Sequence, residues 1–273
     1  MRKLHVASSQ IVSQGGAAET LPLIDRISKA AALLGCDAIL FSEVAIHGYD
    51  YDLTPESIRA VAEPVTGPIA QAVSAMAAKN NIVIMAGTLE LCEGNVYNAH
   101  LIAFPSGDIK VQRKAALTGG EVRGKFTAGE RKRVLFDIKG VKCAILICAD
   151  TGLEGIYDEM REQGVEYLFI PTGGGGDIKD TLSQAELLTD EGRKKYEENR
   201  PRVCMPNPFD ADFQKNKLGF TSANALGRAG AKTCHQGHCI ITDQNGVLRA
   251  QAVGTIVREH HHQQLINAIL TFD

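Results

Sequence analysis

No run of apolar residues in this 273-residue chain is long enough to span a bilayer, which excludes a helical membrane anchor. Positive charge is not in excess either: 29 Lys and Arg stand against 32 Asp and Glu, a net charge of −3. Affinity for phosphate backbones comes from accumulated Lys and Arg, so a nucleic-acid partner is not expected. Seven cysteines, at 36, 92, 143, 148, 204, 234 and 239, form an odd set without framework spacing. Met1-Arg-Lys-Leu-His-Val leads into a strand pattern rather than an apolar leader. Both features point to a reduced, cytoplasmic protein. Repeats, linkers and low-complexity tracts are missing, so one domain over residues 1–273 is expected. There is no tryptophan, and aromatic residues make up only 5%. What remains, 44% hydrophobic and 22% charged, is ordinary for a globular protein.

The stretch with most chemistry in it is Val141-Lys-Cys-Ala-Ile-Leu-Ile-Cys-Ala-Asp150. Ala144 to Ile147 offer solvent no polar side chain, as in a strand covered on both faces. Leu153, Ile156, Tyr157 and Met160 then follow at helical spacing. Cys148 therefore falls at a strand-to-helix turn, where outward-pointing N–H groups favour a thiolate and a nearby oxyanion. A cysteine in an apolar run also fits a buried structural thiol, and partners elsewhere must decide.

Taken in order, the pattern predicts strands at Leu4–Ala7 and Asp37–Phe41, with a helix between them from about Ala18 to Leu34. A second helix spans Gly67–Asn80, and a hairpin joins Ile82–Leu91 to Val96–Phe104. Further strands are expected at Ile109–Gln112, Val134–Ile138, Tyr167–Ile170, Phe220–Leu226, Cys234–Thr242 and Val247–Val253. Gln184–Asn199 reads as one charged helix, Pro201–Phe213 as a loop, and Ile256–Leu270 as a closing helix. Arg131-Lys132-Arg133 reads as a solvated face. Gly173 to Gly176 lack the Gly-Lys-Ser/Thr ending of a phosphate loop, so close backbone approach at a pocket wall is the better reading. Strands alternating with helices, then a block of strands, indicate an α/β fold with mixed sheets and helices outside.

Three residues lie at the ends of expected strands, where α/β folds build sites: Glu43, Lys114 and Cys148. Together they could perform acyl transfer, with the carboxylate taking the thiol proton, the thiolate attacking and the ammonium stabilising the oxyanion. A carboxylate such as Glu43 at a strand end can equally be a salt-bridged rim residue.

The order Glu, Lys, Cys, in the contexts Phe41-Ser-Glu-Val, Gln112-Arg-Lys-Ala and Leu146-Ile-Cys-Ala-Asp150, resembles the nitrilase superfamily of carbon–nitrogen hydrolases. The resemblance extends to Gly48-Tyr49, Tyr97-Asn98-Ala99, Phe126-Thr-Ala-Gly129 and Asp243-Gln-Asn-Gly246. It implies a four-layer α-β-β-α sandwich that pairs into a homodimer or larger oligomer. It implies Glu43 as general base, Lys114 and the Ala149 N–H as oxyanion donors, and Cys148 as nucleophile. Glu121, seven residues after Lys114, is the candidate for the family's second glutamate, with a plain loop charge as the alternative. Tyr49 and Thr172 are the remaining candidates for substrate contact.

The chain also departs from the family. Ala149-Asp150-Thr151-Gly152 stands where many nitrilases carry Trp-Glu and many amidases Tyr-Asp followed by arginine. With no tryptophan, the aromatic wall of many relatives is replaced by Thr172 and glycines, which predicts a roomier pocket. Arg200 to Lys217 reads as an insertion. Cys234-His-Gln-Gly-His-Cys239 holds four potential zinc ligands, but side chains alternating along a strand do not converge on one ion. The expectation is a thiol hydrolase of a small amide that releases ammonia through a thioester and needs no cofactor or metal. Nitrile hydrolysis, a catalytically idle scaffold and a metal-dependent hydrolase built on the 234–239 cluster are the other readings.

Overall fold

The computed structural model describes residues 1–12, 16–48, 54–204, 216–229, 232–259 and 263–273. Among them the first six-stranded sheet holds β1 (Arg2–Gln10), β2 (Ala38–Leu40), β3 (Val83–Cys92), β4 (Asn95–Ala103), β5 (Ile109–Arg113) and β15 (Gln264–Phe272), in the order β15-β1-β2-β3-β4-β5. The second six-stranded sheet holds β6 (Phe136–Ile138), β7 (Val141–Ile145), β8 (Tyr167–Thr172), β10 (Gly219–Asn224), β13 (Cys239–Thr242) and β14 (Leu248–Ala252), ordered β14-β13-β10-β8-β7-β6. A small third sheet, β11-β12-β9, joins β9 (Gly175–Asp177), β11 (Leu226–Ala229) and β12 (Thr233–Gln236).

Each large sheet has a parallel centre, β1-β2-β3 in one and β7-β8-β10 in the other, flanked by antiparallel strands. These central strands are covered on both faces, which is why β2, the end of β7 and the start of β8 read as apolar runs. Their inner faces meet through Leu4, Val6, Leu40, Met85 and Ile102 on one side and Cys143, Ile145, Tyr167, Phe169 and Ile241 on the other. Outside the first sheet lie α1 (Ala17–Leu33) and α3 (Pro68–Asn80), whose Ile24, Ala31, Val73 and Ala77 cover Ile39, Ile84 and Leu101. Outside the second lies α5 (Ile156–Glu162), with Ile156, Tyr157 and Met160 against Leu146, Leu168 and Ile170. The result is a four-layer α-β-β-α sandwich. The remaining helices, α2 (Pro55–Val61), α4 (Gly119–Arg123), α6 (Gln184–Leu187) and α7 (Asp190–Cys204), sit in the connections.

Four expectations need correction. The closing helix over 256–270 is instead β15, which pairs with β1 from Arg2↔Phe272 to Gln10↔Gln264. Ile266, Ala268, Leu270 and Phe272 alternate onto the inner face, and the open edge of β1 supplies nine residues of ladder that no helix could satisfy. The single helix over 184–199 is two. Ser183 and Glu186 form a capping box at α6, and the Thr189 hydroxyl accepts the Gly192 N–H at 3.0 Å to open α7. The 201–213 loop begins as helix, since α7 runs to Cys204; residues 205–215 lie outside the described part. The strand over 234–242 is split by left-handed backbone at Gly237 and His238, φ 71° and 84°, into β12 of the small sheet and β13 of the second large sheet.

Candidate active site

The carboxyl ends of the parallel strands of both sheets open on the same edge. Glu43 follows β2, Cys148 follows β7, and the Glu43 N–H donates to the Thr172 carbonyl at the end of β8 at 3.3 Å. The turn carrying Glu43 is tight. Val44 is held at φ 49°, a conformation costly for a β-branched residue. The turn lies directly on β3 at Gly87, where a Cβ would stand 2.2 Å from the Val44 nitrogen. Only glycine permits that approach.

Lys114 directly follows β5 and is buried. Its Nζ donates to Glu43 Oε1 at 2.7 Å and to Glu121 Oε2 at 2.9 Å, and all three side chains are 1–2% exposed. Asn98, on β4, donates through Nδ2 to Glu43 Oε1 at 2.7 Å and to Glu121 Oε1 at 2.6 Å. Glu121 is fixed by its place in α4: its carboxylate accepts the Thr118 N–H at 2.7 Å and hydroxyl at 2.9 Å, and its own N–H returns to Thr118 Oγ1. This is a capping box turned to a second use.

One ammonium shared by two buried carboxylates sets the electrostatics. Burial raises the Glu43 carboxyl above its ordinary range, and Glu121 adds to this while Lys114 opposes it. Burial acts the same way on Glu121, but the charge of Lys114 and the donors from Thr118 and Asn98 outweigh it and hold that carboxyl low. Lys114 is pulled down by burial and raised further by the two glutamates, so it stays cationic. The two acids are thus unequal: Glu121 remains charged and Glu43 is the one readier to take a proton.

Cys148 opens a 3-10 turn, Cys148–Gly152, in left-handed backbone at φ 48°, so its thiol is presented by a strained elbow. It is half-buried, the one member of the group that reaches towards solvent. Burial pushes the thiol up to about 12; the Glu43 charge raises it, whereas Lys114 and the Gly173 N–H favour the thiolate. A hydrogen bond joins Cys148 to Glu43. The first bond within the turn runs from the Asp150 N–H to the Ile147 carbonyl, which leaves the Ala149 N–H without an acceptor inside the turn.

Of the residues singled out in the sequence, Glu43, Lys114, Glu121, Cys148 and Ala149 are brought to this one edge. Thr172 lies beside it, its carbonyl accepting the Glu43 N–H and its hydroxyl donating to the Ala223 carbonyl at 3.3 Å. Tyr49 lies outside the described residues. Gly175 belongs to β9 and packs on β12, where a Cβ would stand 2.8 Å from the Cys234 carbonyl oxygen; the close approach is to a neighbouring strand of the small sheet. Cys234 and His235 sit on β12 and Cys239 on β13, in different sheets, and no group of three or more potential metal ligands forms among the described residues. Sequence reasoning missed Asn98 as a member of the site; a lone amide in the middle of an apolar strand was its signal. The helix that carries Glu121 was legible too, since Thr118-Gly-Gly-Glu121 has the capping-box spacing of a helix start.

A comparison with family models matches residues 5–191 to the carbon-nitrogen hydrolases. The chain belongs to the carbon-nitrogen hydrolase family. Among curated members, a hydrolase of Mycobacterium tuberculosis (strain H37Rv) is 25% identical over 237 residues, 84% of this chain and 80% of that protein. The (R)-stereoselective amidase of a Pseudomonas species is 27% identical over 138 residues, covering 50% of this chain and 48% of the amidase. Among solved structures, a mutant amidase from Nesterenkonia sp. AN1 in complex with butyramide superposes with a TM-score of 0.73 at 16% identity, over 98% of this chain and 90% of that one. At that identity the likeness concerns the fold. This carbon-nitrogen hydrolase shares the layered α/β architecture of nitrilase-superfamily amidases.

Proposed function

We propose that this carbon-nitrogen hydrolase cleaves a small amide to an acid and ammonia through a thioester on Cys148. The observation that carries the reading is the buried Glu43–Lys114–Glu121 network set against the strained Cys148 elbow. Glu43, its carboxyl raised by burial, takes the Cys148 proton as the sulfur attacks the amide carbon. The tetrahedral oxyanion is met by the Lys114 ammonium and the Ala149 N–H. Glu43 then passes the proton to the departing nitrogen, and ammonia leaves. Water, deprotonated by Glu43, attacks the thioester carbonyl and frees the acid and the thiol. Glu121 and Asn98 hold Lys114 and Glu43 in register throughout. Every group needed belongs to the chain, so no cofactor enters the scheme.

The amide substrate is supported by two likenesses already described, to an (R)-stereoselective amidase and to an amidase holding butyramide. The same reading takes residues 1–273 as a single catalytic domain, in a cytoplasmic protein that pairs with a second copy. Light scattering on the purified chain measures that last point.

The test is ammonia release from a panel of short aliphatic amides, ω-amides, carbamoyl compounds and nitriles. Cys148→Ala should abolish release, and Glu43→Gln should lower kcat by roughly 100- to 10,000-fold with the fold retained. Preference for a nitrile would replace amidase with nitrilase. Release unaffected by loss of Cys148 would overturn the reading.

A further inference from the structure

Asp150 lies two residues beyond Cys148 and is completely buried, as is the side chain of Arg133. Between them they bind three separate segments. Asp150 Oδ2 accepts Arg133 Nη1 at 2.8 Å and the Ile147 N–H at 3.1 Å, so the residue before the nucleophile is fixed from within its own turn. Asp150 Oδ1 accepts the N–H groups of Ala115 and Ala116 at 2.9 and 2.8 Å, the two residues that follow Lys114. The Arg133 guanidinium spreads further, with Nε donating to the Arg131 carbonyl at 2.7 Å and Nη2 to the Glu130 carbonyl. That segment leads back to the lysine, because the Gly129 N–H donates to the Lys114 carbonyl at 2.7 Å. Arg133 is therefore not part of a solvated basic face, as its neighbours suggested in sequence. The Arg131 side chain pairs with Glu159 at the surface while Arg133 turns inside.

A carboxylate sharing four donors from three segments fixes the spacing between them. Two of these segments are the strand end that delivers the ammonium and the elbow that delivers the thiol. They come from different sheets, and none of the hydrogen bonds in the Glu43–Lys114–Glu121 network reaches the backbone of the cysteine turn. We propose that Asp150 and Arg133 act as a positioning pair, setting the distance between Lys114 and Cys148 on which attack and oxyanion stabilisation depend. Neither residue need touch substrate. The inference rests on the assignment of Cys148 and Lys114 made under the proposed function, and it adds to that assignment what holds the two together.

Two variants test it. Asp150→Asn keeps the size of the side chain but puts an NH2 where at least one donor must be accepted. Arg133→Lys keeps the charge opposite Asp150 and loses the planar fork that reaches the Arg131 and Glu130 carbonyls. For each, the folded fraction is taken from circular dichroism, kcat and KM from ammonia release, and the rate of iodoacetamide modification of Cys148 across pH from peptide mass spectrometry. Displacement of the ammonium from the thiol should lower kcat per folded enzyme roughly 10- to 100-fold in Asp150→Asn, with KM within about threefold. It should also shift the pH profile of Cys148 alkylation towards that of an ordinary buried thiol. Arg133→Lys should move both readouts in the same direction by a smaller factor. A pair that served stability alone would lower the melting temperature and leave kcat per folded enzyme and the alkylation profile unchanged; that result overturns the proposal. If Asp150→Asn does not fold, the alkylation profile of Arg133→Lys decides. Alkylation needs no substrate, so a wild-type protein silent on every amide would count against the proposed reaction while leaving this comparison intact.

Discussion

At the scale of single residues, His100 carries a consequence for stability. It sits on the inner face of β4, fully buried, with only the Met85 backbone opposing the effect of that burial on the ring. Burial disfavours the imidazolium and pushes its pKa down from 6.5 to about 3. Between those values the unfolded chain binds a proton that the folded chain does not, so stability is fully present above the unfolded pKa and is lost as pH falls. The loss attributable to His100 should reach about 3 kcal/mol by pH 4. Urea unfolding of the wild type and of His100→Leu over that window measures it: the variant should show a flatter pH dependence. His47, lowered to about 4 by burial, keeps its own contribution in both proteins. Equal pH dependence in the two would mean that His100 titrates normally.

Among elements, the turn after β2 depends on β3 having no side chain at Gly87. A Cβ there would meet the Val44 nitrogen at 2.2 Å and the Ser42 carbonyl oxygen at 2.7 Å, both backbone atoms that cannot swing aside. Gly87→Ala should therefore lift the Glu43 turn off the sheet, at a cost of about 3 kcal/mol or more. The displaced Glu43 would lose its bonds to Lys114 and Asn98, so activity per folded molecule should fall as well. Thermal melts together with kcat separate the two effects. A variant with wild-type kcat would show that the turn tolerates the shift. The closing segment shows the same dependence of element on neighbour: Ile266, Ile269 and Leu270 suit a helix by spacing, but the edge of β1 pairs them as β15.

For the molecule as a whole, the site exists only while the two large sheets are packed together. Glu43, Asn98 and Lys114 belong to the first sheet or its strand ends, and Cys148 and Thr172 to the second. Loss of activity in urea should thus coincide with loss of secondary structure rather than precede it. Without tryptophan the transition is best followed by far-ultraviolet circular dichroism, with tyrosine fluorescence as the second probe. Tyr167 reports on the inner core, where it is fully buried with its hydroxyl 2.9 Å from Thr221 Oγ1. Activity lost well before both signals would indicate that the sheets part, or the site edge melts, ahead of global unfolding.

Residue order and local pattern alone were enough to give the buried parallel strands, the helices α1 and α3, the β3–β4 hairpin and the three strand ends bearing Glu43, Lys114 and Cys148. Those features depend on which faces a short segment must bury, and the periodicity of the sequence records that directly. The break between α6 and α7 follows from the local caps at Ser183 and Thr189, whereas the conformations of 234–242 and 264–272 were decided by the tertiary structure. There two local patterns compete closely, and the winner is set by a partner distant in sequence, such as β1 for β15. The same holds for the interior of the site. Asn98 between two carboxylates, and Asp150 paired with Arg133, are polar residues whose burial is tolerable only because of donors and charges brought in from other segments. A linear sequence names these residues, but the folded chain alone decides which of them meet.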